Sequence, residues 1–229
     1  MAMLGVLMLD TRFPRPPGDI GNPASFAVPV RYRVVPGATP RRAVIGHDAA
    51  LLAPFIAAGR ALIDEGATAL TTSCGFLVLF QRELEAELAV PVWTSSLLLV
   101  AELNATLPAG RTTGVVTADA RSLTAAHLAA AGAPLDTPVE GLGVDSAFRR
   151  TLLDDTETLD ADEARAATVD AAQRLVARRP DVSAIVLECT NMPPYAAAVS
   201  TATRRPVHDI LTLLKARLAA TQQHAIGTR

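Results

Sequence analysis

The chain has 229 residues, half of them hydrophobic, enough to bury the core of one large domain or two small ones. Its 21 basic and 23 acidic residues leave a formal net charge of −2, so it lacks the long positive face that nucleic acid or an anionic membrane requires. Lys215 is the only lysine, and its place in an amphipathic C-terminal stretch argues against a lysine-bound cofactor such as pyridoxal phosphate.

Along the chain, MAMLGVLMLD has neither the basic start nor the long apolar core of a secretory signal, and no later run reaches membrane-spanning length. A cytoplasmic protein with two free thiols is the expectation. LGVLMLD (4–10) reads as a buried strand. The Pro- and Gly-rich stretch 11–32 is longer than most connections in compact domains and predicts a functional loop, a lid over a site, with Arg12 and Arg15 in reach of a substrate carboxylate. ATALTTS (67–73), TTGVVTA (112–118) and VSAIVLE (182–188) read as further strands. Helical patterns lie between them, the clearest being 160–180, where Asp160 and Glu163 have capping-box spacing and Pro180 ends the element. Strand alternating with helix predicts an α/β fold with mainly parallel sheets.

The two cysteine neighbourhoods repeat. ATALTTSCGF from Ala67 aligns without a gap on VSAIVLECTN from Val182, giving 189 − 74 = 115. The Pro-Val turns at Pro91 and Pro206 keep the same offset, which is what a duplicated α/β unit leaves behind. Two halves related by a pseudo-twofold axis would bring Cys74 and Cys189 to one cleft outside the carboxyl ends of parallel strands, where ligands bind in this architecture.

Each cysteine follows a strand and precedes a helical pattern that starts, in the second case, with Pro193-Pro194. A helix N-terminus favours thiolate over thiol. Two such groups on opposite faces of one carbon can invert it, one removing a proton and the other delivering one. The resulting carbanion needs donors, and backbone N–H groups after each cysteine with the hydroxyls of Thr72, Ser73, Thr117 and Thr190 are candidates, as they are for helix caps and turn contacts.

TTSCGF, LECTNMPPY, GVVTADARS and the PVHD turn together resemble the aspartate/glutamate racemase superfamily, a cofactor-independent group that includes amino-acid and hydantoin racemases, maleate isomerases and arylmalonate decarboxylases. The resemblance covers nearly the whole chain. It implies two similar α/β domains in a pseudo-twofold arrangement with the active site between them, placed at 1–100 plus 205–229 and at 101–204. It also implies Cys74 and Cys189 as catalytic thiols, with Asp10, Thr117 and Thr190 at substrate-contacting positions of the family. Thr72, Ser73, Gly75, Phe76 and Asn191 complete the expected binding set around the two motifs. Glutamate racemases carry Asn-Thr where this chain has Gly75-Phe76, and a histidine where it has Asn191, which points to the hydantoin racemase and decarboxylase branches. The decarboxylases lack the first cysteine, so Cys74 favours racemisation.

The expectation is a racemase that needs no cofactor and acts on an amino acid or hydantoin-type derivative, a small-molecule carboxylate being its partner and a homo-oligomer being open. Isomerisation or decarboxylation of a small dicarboxylic acid on the same fold is the alternative, and a non-catalytic binding protein is another. His47, His127 and His224 lie far apart with no metal-ligand spacing, Asp209 reads as the cap of the last helix, and no nucleotide motif is present.

Overall fold

The four apolar runs form the central strands β1 (Leu4–Met8), β3 (Ala69–Thr72), β5 (Thr112–Thr117) and β7 (Val182–Leu187), and β2 (Val30–Val34), β4 (Val92–Trp93), β6 (Val139–Gly141) and β8 (Val207–His208) flank them. The computed structural model describes residues 3–227, and the side chains of all but 222–227. The strands make two four-stranded parallel sheets, ordered β2-β1-β3-β4 and β6-β5-β7-β8. Helices cover both faces of a parallel sheet, so its inner strands read as continuous apolar runs: every residue of β1 and β3 is buried. The protein therefore consists of two α/β domains.

The helices are α1 (Leu52–Asp64), α2 (Gln81–Glu87), α3 (Leu99–Asn104), α4 (Ala125–Ala130), α5 (Ala147–Asp154), α6 (Ala161–Arg178), α7 (Ala196–Thr203) and α8 (Ile210–Gly227). None among the described residues is long and apolar enough to cross a membrane. The repeat seen in the sequence has its counterpart in space. Strand order is the same in both sheets, and β8 follows β4 at 207 − 92 = 115, the offset of the cysteines.

Three details depart from expectation. The predicted loop 11–32 ends early, because Val30–Val34 pairs in parallel with β1 as an edge strand, its outward Arg31 and Arg33 pairing with Glu65. Asp160 caps α6 by accepting from the N–H groups of Asp162 and Glu163, but Glu163 does not reach back to complete the box. Its carboxylate instead accepts from the N–H groups of Ala147 and Phe148, at the start of α5. Lastly, the chain does not leave the second domain at residue 205. Val207 and His208 pair with β7 in the second sheet, and only from Ile210 does α8 send Leu213, Leu214 and Leu218 into the core of the first. Asp209 caps this helix through the N–H of Thr212 (2.8 Å).

Candidate active site

Both cysteines stand where a central strand ends at the same edge of its sheet, one after β3 and one shortly after β7. They line one cavity together with Ser73, Gly75, Phe76, Thr190 and Asn191. The two motifs are tied directly, since the Thr190 hydroxyl donates to the Ser73 carbonyl (2.6 Å) across the domain boundary. Ser73 in turn accepts from the Leu9 N–H at the end of β1 (2.8 Å).

The remaining predicted residues lie outside the cavity. Thr72 is fully buried beneath it, its hydroxyl donating to the Thr94 carbonyl (2.7 Å) and lying 2.9 Å from that of Cys74, so it shapes the turn that carries the thiol. Thr117 donates to Glu188 Oε2 (2.7 Å). Asp10 is exposed and accepts from the Gly37 N–H (2.9 Å), which fixes the turn after β2. Each of these hydroxyls has one proton, already given to a protein acceptor, and their geometry serves the scaffold.

Of the loop arginines, Arg15 reaches the cavity and Arg12 does not. Arg12 is exposed and pairs with Asp155 and Glu157 in the second domain. Arg15 is mostly buried, lies 4.2 Å from the centre of the Phe13 ring, and holds Asp19 (3.1 Å) and Thr11 (2.7 Å). Asp19 also accepts from Asn191 Nδ2 (2.7 Å), and the Ile20 N–H donates to the Thr190 carbonyl (3.3 Å). The loop is thus bonded to the second cysteine motif.

Sequence reasoning missed Glu188, the residue immediately before Cys189. It is 1% exposed, and its free oxygen Oε1 lies where a side chain on residue 75 would be: a Cβ there would come within 2.2 Å of it. That explains Gly75. The signal was a charged residue at the end of an otherwise apolar strand, in ECTN itself.

Burial pushes the Cys74 thiol up to about 12, with the Glu188 charge adding to the effect while the N–H groups of Phe76 and Leu77 and the charge of Arg15 oppose it. Cys189 is raised as well, by burial and then by Glu188. The expected helix-terminus activation does not prevail. Cys74 caps a six-residue 3₁₀ turn (Gly75–Phe80), and Pro193–Tyr195 after Cys189 is a single turn, so neither thiol faces the aligned dipoles of a long helix. Glu188 is itself raised to about 7 by burial.

Behind Phe76, His47 and His127 meet edge to face at 4.7 Å, although 80 residues separate them in sequence (127 − 47). Among the described residues, no three His, Cys, Asp or Glu side chains gather as metal ligands, and the His224 side chain lies outside the described residues.

No protein-family model matches the chain. It is 32% identical over 224 residues to a dimethylsulfoniopropionate lyase of Durusdinium sp. clade D, an alignment covering 92% of this chain and 72% of that protein. It is also 32% identical to dimethylsulfoniopropionate lyase 7 of Emiliania huxleyi, covering 95% of this chain and 66% of the relative. In fold it resembles an allantoin racemase from Klebsiella pneumoniae (TM-score 0.66, 16% identity, 96% of this chain and 89% of that one). An unliganded arylmalonate decarboxylase is similar too (TM-score 0.59, 17% identity, 91% and 87%). The identity to a lyase across most of both chains places the protein in the dimethylsulfoniopropionate lyase family, on a two-domain parallel-sheet fold like that of allantoin racemase and arylmalonate decarboxylase.

Proposed function

We propose that the protein is a cofactor-independent lyase that removes the proton α to a carboxylate and expels a neutral sulfide from the next carbon, with dimethylsulfoniopropionate as substrate. The observation that carries this reading is the 32% identity to a lyase of that name across 92% of the chain, with both thiols in one cavity. The expected racemase needs a second group to return a proton to the opposite face. Elimination does not. The electron pair of the broken C–H bond becomes the C=C bond, the C–S pair leaves with the sulfur, and the positive charge of the sulfonium disappears.

Cys74 is the base in this scheme, because its thiolate has the N–H groups of Phe76 and Leu77 and the charge of Arg15 in its favour. Arg15 is the anchor for the substrate carboxylate, which gains negative charge as the proton leaves. Phe13 and Phe76 offer apolar ring surface to the methyl groups of the sulfonium. Cys189 holds the opposite wall.

The test is incubation with dimethylsulfoniopropionate and gas chromatography of the headspace, alongside proton NMR in D₂O on both enantiomers of aspartate, glutamate and a hydantoin panel. Release of dimethyl sulfide with equimolar acrylate, and no exchange of amino-acid or hydantoin α-protons, is the expected result. Exchange with inversion and no sulfide would return the chain to the racemases.

A further inference from the structure

Glu188 has no task in the scheme above, yet its carboxyl is buried in the cavity wall with one oxygen unpaired. The end of β7 fixes it, its N–H donating to the Val116 carbonyl (2.8 Å), and its Oε2 is held by Thr117. Oε1 is buried with no hydrogen-bond partner, in the space that Gly75 leaves open beside Cys74. An unpaired carboxylate oxygen shielded from water is unfavourable unless a proton arrives. The ionisable groups around this cluster are Cys74, Cys189, Arg15, Asp19 and Tyr195, with His47 and His127 behind Phe76. Only the two thiols carry a proton to give among the groups that Glu188 most affects, its charge being second only to burial in raising both.

We propose that Glu188 accepts the proton of the Cys74 thiol, so that the thiolate forms in the cavity without a net change in its charge. The S–H bond breaks and an O–H bond forms on Glu188. The thiolate then takes the substrate α-proton, the C–H pair becomes the double bond, and the sulfide departs with the C–S pair. Cys74 is left a thiol, and Glu188 releases its proton to water. The inference rests on the lyase reading for the substrate step only. Glu188 is a positioning residue in this scheme, because it acts through the thiol and does not touch the substrate.

Burial raises Glu188 to about 7, so at neutral pH it can both hold and release a proton, whereas each thiol alone remains protonated. The experiment measures the rate at which methyl methanethiosulfonate modifies the full chain as a function of pH, in wild type, Glu188→Gln and Glu188→Asp. Peptide mass spectrometry identifies the cysteine, and thermal melting confirms that each variant folds. In wild type the Cys74 rate should rise with pH to a plateau above neutrality. In Glu188→Gln it should be about tenfold slower or more at the plateau pH and climb about tenfold per pH unit without levelling. Glu188→Asp should restore the plateau in part.

A Glu188→Gln protein modified as fast as wild type, or faster, would overturn the proposal, since a carboxylate that merely repels the thiolate lets it form more readily once removed. Unmodified Cys74 in wild type at every pH would overturn it as well. Because no substrate enters this assay, the expected thiol behaviour in a protein that releases no dimethyl sulfide would count against the lyase reading and leave the relay standing.

Discussion

At the scale of single residues the sharpest distinction between elimination and inversion is the fate of each thiol. Two-base inversion stops when either is lost, whereas elimination asks only one thiol to act as base. Cys74→Ser should therefore lower kcat by about 10³-fold or more, because a hydroxyl is far harder to ionise, and Cys189→Ser by about tenfold or less. Equal loss in both variants would mean that both act on protons. Gly75 is the second diagnostic position. A methyl group there meets the Glu188 side chain at 2.2 Å and its backbone carbonyl at 2.6 Å, and backbone cannot swing aside. Gly75→Ala should cost about 1–3 kcal/mol in a melting experiment and also depress turnover. The sequence displayed Gly75 and both thiols as motif residues, but it could not display their neighbour in space: Glu188 meets Gly75 only because two strand ends 113 residues apart (188 − 75) converge.

Among the elements, the segment between β1 and β2 brings Phe13 and Arg15 to the cavity. Its composition announced a loop, yet it concealed β2, since the alternation in Val30–Val34 follows directly on Pro29 and the strand lies at an edge where only one face packs. Strands β4, β6 and β8, two or three residues long, left too little pattern to read, whereas the central strands were legible because they are buried on both faces. The two loop arginines, equivalent in the sequence, separate in the fold. Arg12→Ala removes ion pairs that do not line the cavity, and its kcat/KM should stay within about twofold of wild type. Arg15→Ala should raise KM for the carboxylate substrate by about tenfold or more, with Arg15→Lys recovering little, because one ammonium cannot hold Asp19, Thr11 and a carboxylate in a planar fork. Steady-state kinetics on the three variants decide whether the loop contributes a substrate contact or only a covering.

For the whole molecule, two buried ionisable groups, Glu188 in the cavity lining and His127 against Phe76, have effects on stability of opposite sign. Glu188 is raised from 4.5 to about 7. The folded state holds its proton more tightly than the unfolded chain, so its contribution is fully present below 4.5 and is lost as pH rises through about 7. His127 is lowered from 6.5 to about 4 by burial and by His47, so its contribution is present above 6.5 and is lost as pH falls through about 4. Each swing amounts to roughly 3 kcal/mol at most, and the two windows overlap almost completely, so in wild type they offset one another and the melting temperature should change little across them. Removing one group exposes the other. Glu188→Gln should melt at a temperature that climbs as pH rises from 4 to 6.5, the His127 window, and should exceed wild type above 7. His127→Asn, which keeps an acceptor for the Thr124 N–H now bound by Nδ1 (3.1 Å), should show the reverse slope between 4.5 and 7. Parallel melting curves for the two variants would mean that folding shifts the proton affinity of neither group. The relay through Glu188 would then lose its proton acceptor, since a carboxyl left at its ordinary affinity holds a proton too weakly at neutral pH to take one from Cys74.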